Sequence, residues 1–408
     1  MDQASNPDDR ITGTCLTPGE TGHVLLLSMR RLANLVAYCI DYEFEDVIAQ
    51  VTGADRVDVG NEAALELSRR AYKLVRMTGR SRHLARALAP SPSTVELRHE
   101  YELFFPVFNH PYELYALAAI PDWRARCRLA ACFINEVWAH QLPKYLLEFL
   151  DQFDHVFVGM KHCVDEVARI VGRPCSYLPL AADVLRFCPE SASSARFIDV
   201  CNIGRRSAIT HQALLSEASV RKRFYYYDTF AGGIGKQQKQ RTFRVEDHRE
   251  HRLLLAQLLQ SSRYYITHRS RINQPEYTGQ WEEISGRFYE GAAAGAVMLG
   301  VAPTTDEFRN LFGWPDAVIH VPFDCPDIER VLGELDHDPR RLDLIRSRNV
   351  HHAALQHDWV HRLGTVFQTL GLPATSGMRE REQRLAAVAK RFAAFSLEPR
   401  ERIRGEVL

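Results

Sequence analysis

The sequence predicts an α/β protein of two doubly wound parallel-sheet domains, and three observations predict it. Apolar runs of strand length alternate with helix-period stretches along most of the chain. A proline-bearing stretch around 172–189 interrupts that alternation once, after which it resumes. The 408 residues, 46% hydrophobic and 25% charged, suit two cores of ordinary size better than one.

The first series runs HVLLLS (23–28), the apolar LANLVAYCID (32–41), the helical AALELSRRAYKLVR (63–76), YELFFPVF (101–108), LAACFINEVW (129–138), the helical LPKYLLEFLDQF (142–153) and HVFVGM (155–160). A helix then ends at Gly172-Arg173-Pro174, the short strand SYLPLA follows, and Cys188-Pro189 breaks the pattern. The second series alternates RFIDVCNIG, THQALLSEAS, RKRFYYYDTF, HREHRLLLAQLLQSS and RYYITHR, then ISGRFYEGAAAG, AVMLG, DEFRNLF, AVIHVPF and CPDIERVLGEL. Helical stretches at 340–370 and 379–395 close the chain, with Pro373 to Gly377 setting the last one apart. The expected organisation is a polar segment 1–22, a first domain 23–180, a second domain 181–355 and C-terminal helices 356–408 packing back across both.

Lys+Arg and Asp+Glu both number 51, so no global field draws in nucleic acid or an anionic surface. The first 22 residues lack a basic head and apolar core, and no apolar run approaches 18 residues, so the chain reads as cytoplasmic, neither exported nor membrane-spanning. Nine scattered cysteines without a Cys-x-x-Cys pair read as reduced, buried thiols.

The stretch from Trp281 to Leu299 carries the most chemistry. Ser285 is placed as an N-cap, Gly286 and Arg287 open the helix, and the small residues at 291–295 let that helix approach a sheet closely. Its free N–H groups and dipole favour a phosphate, to which the Arg287 guanidinium adds a charge-assisted bond. One turn on, Glu290 can accept from a pair of sugar or ribose hydroxyls. A second stretch, FIDVCNIGRRSAITHQALL, ends a strand at Ile203-Gly204 and follows it with Arg205 and Arg206, at the sheet edge where open parallel sheets bind ligands. Each stretch taken alone also reads as a capped helix or a basic turn facing water.

Together these segments resemble the donor-binding half of GT-B glycosyltransferases, particularly the bacterial group that includes the spore-maturation type. The resemblance covers most of the chain at modest identity. It implies two Rossmann-like domains facing across a cleft and transfer of a sugar from a nucleotide-diphosphate-sugar, most simply a UDP-sugar, without a metal or other cofactor. It implies Glu290 on the nucleotide ribose and Gly204, Arg205 and Arg206 on the donor diphosphate, alongside Ser285, Gly286 and Arg287. YLPLAADVLRFCP is similar to the family's interdomain crossover, and His357, His361 and Arg362 fall in a segment similar to the helix after its donor domain. Glu282 and Glu290 have the spacing of retaining members, in which the first glutamate contacts the donor sugar. The residues after Glu282 depart from the family's Gly-Phe pattern, and its lysine beyond the Gly-Arg turn is missing, leaving Arg206 or His211 to substitute.

The catalytic base is expected in the first domain. His110 follows an apolar strand with Glu113 nearby, DYEFED offers Asp41, Glu43, Glu45 and Asp46 after another run, and Glu136 is a weaker candidate. The acceptor stays open among glycan, small molecule, protein and nucleic acid. Two other readings compete. One is a nucleic-acid-associated protein or DNA-modifying glycosyltransferase using the basic loops at 221–244 and 267–271 around Tyr225 to Tyr227. The other is a non-catalytic GT-B scaffold whose stripe Leu385, Val388, Phe392 and Phe395 binds a partner, unless that stripe packs on its own fold.

Overall fold

The computed structural model describes residues 14–21, 23–79, 81–91, 95–97, 99–138, 142–191, 194–228 and 244–397. They divide into two compact units: residues 1–180, 242–252 and 362–379 in the first, 181–241, 253–361 and 380–408 in the second. Both are Rossmann-like, the first with a sheet parallel but for one strand and the second with a sheet parallel throughout.

The first unit's sheet contains β1 (Cys15–Thr17), β2 (Val24–Ser28), β3 (Asp55–Asp58), β4 (Tyr101–Phe104), β5 (Val107–Phe108), β6 (Cys127–Ile134), β7 (His155–Val158) and β8 (Cys175–Tyr177). Its order is β1-β3-β2-β4-β6-β7-β8, parallel except for β1, which runs antiparallel along β3. Pro106 separates β4 from β5, both of which pair with β6, because proline has no N–H for the ladder. Every residue of β2 is buried, as expected of a central strand covered on both faces.

LANLVAYCID does not form a strand. A 3₁₀ turn at Val36–Tyr38 leads into the helix Cys39–Thr52, in which Tyr42, Val47, Ile48 and Val51 bury at helical spacing. The strands that sequence reading missed are β1, inside the segment read as polar, and β3, where burial of Asp55 is met by hydrogen bonds from Gly19 N–H (2.6 Å) and Tyr101 Oη (2.8 Å).

The second unit has five parallel strands: β9 (Ile198–Asn202), β10 (Tyr225–Tyr227), β11 (Ser262–Ile266), β12 (Val297–Gly300) and β13 (Ile319–His320). They lie in the order β10-β9-β11-β12-β13, so the winding reverses between β9 and β11. Ligands of such sheets bind beyond the strand C-termini at that reversal. Val200, Tyr264, Val297 and Leu299 pack from the sheet against Ile328, Leu332 and Ile345.

The final helix, Ser376–Leu397, starts earlier than the sequence suggests. Leu385 and Phe392 are buried, and Phe392 packs with Val350, Val388 and Cys188, so the stripe covers its own unit instead of presenting a scaffold face. The side chain of Phe395 lies outside the described residues. No described helix is long and apolar enough to cross a membrane.

Candidate functional site

The helix Gly286–Ala293 determines the geometry at the second sheet's C-terminal edge. Ser285 caps it, its Oγ accepting from Arg287 N–H at 3.3 Å. A Cβ on Gly291 would come within 2.7 Å of Met298 Sδ and 3.0 Å of the Tyr265 ring, so the absent side chain is what allows this close packing. Its far end is held by the half-buried Arg196, which donates to the carbonyls of Leu259 (3.1 Å), Ser262 (2.8 Å) and Ala294 (2.9 Å). Burial, followed by the charge of Arg346, pushes that guanidinium's pKa down to about 9.

At its N-terminal end the helix meets the turn after β9. Arg287 donates to Ile203 O at 3.2 Å, and its Nη2 would lie 2.8 Å from a Cβ on Gly204. Gly204 also has φ +77°, so it is required both for its backbone shape and for the arginine beside it. The two motifs, more than eighty residues apart in sequence, therefore touch at the reversal of the sheet.

Arg206 turns away from an open anion role. It is ion-paired with Asp228, which also accepts from Gly204 N–H at 3.1 and 3.0 Å, and its guanidinium sits 5.4 Å from the Tyr227 ring centre. Asp228 thus organises the turn, with Arg206 shaping it. His211 bonds Tyr225 Oη through Nδ1 at 2.8 Å, so it does not replace the missing lysine either. Glu290 is buried on the helix that bears Arg287.

Glu282 joins two loops at the same edge. It forms an ion pair with Arg269, after β11, and accepts from Thr304 N–H (2.7 Å) and Oγ1 (2.9 Å), after β12. Between them lies His268, which sequence reading missed. Its Nδ1 accepts from Val301 N–H at 3.1 Å, and burial, followed by the charge of Arg287, lowers its pKa to about 4. The ring is therefore neutral at physiological pH with its remaining hydrogen on Nε2. Its position directly after RYYIT was the available signal, by the same edge argument that singled out Gly204.

In the first unit the expected bases lie where that sheet also reverses, between β2 and β4. His110 caps the 3₁₀ helix Pro111–Ala119: Nδ1 accepts from Tyr112 N–H at 3.4 Å, while Glu113 accepts from Asn109 N–H (2.7 Å) and His110 N–H (3.4 Å). Burial raises the pKa of Glu113 to about 8 despite those bonds. Burial likewise takes Asp41 to about 7, although Asn109 and Asn135 donate to it at 2.6 and 2.7 Å. Glu43, Glu45 and Asp46 are committed elsewhere, to Arg252 (2.7 Å), Arg30 (2.7 Å), and Arg30 (3.0 Å) with His248 (2.9 Å) respectively. Burial disfavours charge on Asp46, but the bonds from His248 and Arg249 outweigh it and hold the carboxyl below its usual range. Glu136 accepts from Trp138 Nε1 at 2.8 Å.

The C-terminal trio serves the fold. His357 bonds Leu311 O (2.8 Å), His361 bonds Ala354 O (3.1 Å) and Arg362 donates to Pro179 O and Leu180 O (3.0 and 3.1 Å). Of the basic loops, Arg221 and Arg223 pair with Glu217, Tyr225 to Tyr227 form β10, Arg269 pairs with Glu282, and residues 229–243 lie outside the described residues.

An all-parallel sheet whose reversal meets an arginine-bearing helix start is an arrangement suited to holding an anion. Residues 213–368 match the family described as Glycosyl transferase-like, a span that contains Arg287 and Glu290 and begins after the Gly204 turn. The match spans most of the second unit's sheet and helices, and over that segment the chain is similar to the family. Curated proteins yield no match. Similar solved structures include Anabaena Alr3699/HepE in complex with UDP-glucose, at 12% identity over 85% of this chain and 99% of that one with a TM-score of 0.47. Another is an α,α-trehalose-phosphate synthase (UDP-forming) from Burkholderia vietnamiensis, at 11% identity over 88% and 99% with a TM-score of 0.45.

Proposed function

We propose that this protein transfers a sugar from a nucleotide-diphosphate-sugar, most simply a UDP-sugar, and that the donor binds at the C-terminal edge of the second unit's sheet. The observation that carries the reading is the contact of Arg287 with the Gly204 turn, which concentrates positive charge and N–H groups where the sheet reverses. In this reading Arg205, Arg287 and the helix start receive the diphosphate, while Glu290 accepts from the ribose hydroxyls. Those same groups, rather than a metal, offset the charge that builds on the departing diphosphate as the sugar becomes oxocarbenium-like. Ser285 and Gly286 shape the helix start, and Arg206 positions the turn through Asp228. Glu282 has a positioning part, holding Arg269 against the loop after β12. His110 is the candidate base for an acceptor that remains to be identified.

Calorimetric titration with UDP, GDP, ADP, dTDP and their sugar conjugates tests the proposal. One nucleotide family should bind. Arg287→Ala should weaken it roughly 10- to 100-fold, the worth of a hydrogen bond to a charged group, and Glu290→Ala should weaken the nucleoside diphosphate without unfolding the protein. Absence of nucleotide binding, or unchanged affinity in both variants, would overturn it.

A further inference from the structure

The first unit carries a helix with apolar side chains on its solvent face as well as on its inner one. The helix Glu62–Gly79 buries Ser68 and Tyr72 and packs Leu65 and Val75 on the core, yet Leu67, Leu74 and Met77 are 63%, 65% and 68% exposed. These three recur at i, i+7 and i+10, forming one outward stripe. The next helix, Arg82–Leu88, adds Leu84 and Leu88, exposed by 47% and 60%. A helix facing water normally places polar groups on this side, and five large exposed apolar residues within 22 positions mark a contact surface.

Charge identifies what the surface contacts. The protein is neutral as a whole, but residues 67–88 contain seven Lys and Arg and no Asp or Glu. Three carboxylates reach this segment: Glu66 on Arg69 and Arg70, Glu148 on Arg76, and Asp151 on Arg82. They offset part of the charge and leave a basic surplus beside the apolar stripe, with Arg70 and Lys73 exposed alongside Leu74. A long, amphipathic, cationic helix with leucines on its outer face lies flat in a membrane interface, its arginine and lysine heads toward lipid phosphates. We infer that the helices Glu62–Gly79 and Arg82–Leu88 form a docking face for an anionic phospholipid surface, which the protein binds without crossing it.

Co-sedimentation of the full chain with phosphatidylcholine vesicles, with and without phosphatidylglycerol, tests this. Partition onto the anionic vesicles should exceed that onto neutral ones by about tenfold or more. Arg70→Gln with Lys73→Gln should erase most of that preference. Leu67→Gln with Leu74→Gln and Met77→Gln should lower binding to anionic vesicles by about tenfold or more while leaving melting temperature and helix content unchanged, since all three side chains face solvent. Equal partition of the parent protein onto both vesicle types, or a triple variant that binds like the parent, would overturn the inference. So would a concentration-dependent dimer that the triple variant abolishes in the absence of any vesicle binding, because the face would then belong to a second copy.

Discussion

Replacing Asp41 with asparagine should make the protein more stable at alkaline pH and change little in acid. Asp41 is 1% exposed and its only described hydrogen-bond donors are the side-chain amides of Asn109 and Asn135, so the charged form is poorly compensated. Its pKa of about 7 in the fold stands against about 3.9 in an unfolded chain. With the folded value the higher one, the native state keeps a proton that the unfolded chain surrenders. Stability is unaffected below about pH 4, falls as pH rises toward about 7, and is constant above that. At about 1.36 kcal/mol per unit the full window is worth at most about 4 kcal/mol. Asparagine has no charge to suppress, and the two neighbouring amides can rotate to meet it. Urea unfolding followed by tryptophan fluorescence should therefore show the gap between Asp41→Asn and the parent widening by about 2–3 kcal/mol from about pH 5 to about pH 9. His268 titrates in the opposite sense below about pH 6.5, but it is present in both proteins and cancels from the comparison. A gap that stays constant with pH would refute a protonated Asp41.

Other outcomes follow from the same packing. Arg381 holds Asp358 (2.8 Å) and Asp183 (2.5 Å), all three nearly inaccessible, so Arg381→Met should cost roughly 3–5 kcal/mol in denaturant unfolding by stripping the cation from buried Asp358 and leaving Asp183 with Arg186 (3.3 Å). Gly204→Ala should cost about 1–2 kcal/mol from its left-handed backbone and, by displacing Arg287, lower nucleotide affinity in calorimetry by more than its stability loss explains. Glu282→Gln keeps an acceptor for Thr304 but loses the ion pair with Arg269; the melting temperature should barely move while the rate of transfer falls, and an unchanged rate would remove Glu282 from the site.

The alternation of apolar runs made the parallel sheets legible, because strands covered on both faces are continuously apolar, as β2 and β12 are. The helix Cys39–Thr52 escaped because the residues leading into it, Leu35 to Ile40, are apolar without a break, and β3 because two of its four residues are aspartates, Asp55 being satisfied by the distant Gly19 and Tyr101. The same limit applied to the site. Ser285, Arg287 and the Gly204 turn announced themselves through local capping and backbone chemistry. Asp228, which takes up Arg206, and Arg196, which fixes the far end of the helix, act across 22 and 98 residues, and nothing local marks them. His268 reads in sequence like any histidine after a strand; only the Val301 N–H reveals its neutral tautomer.

The first unit is assembled from three separate stretches of chain, and this bears on its synthesis. Glu43 pairs with Arg252, and the carbonyl of Val51 meets Thr375, two residues before Gly377, which lies so close to Val51 that a Cβ would approach its oxygen to 2.6 Å. At the point where the entire first sheet has left the ribosome, neither of these partners has emerged. The emerging domain must wait for both contacts until nearly the whole polypeptide has been made. Fragments cut at the apparent domain border should consequently be poor folders, and chaperone dependence during translation should end only once the segment 362–379 has left the exit tunnel.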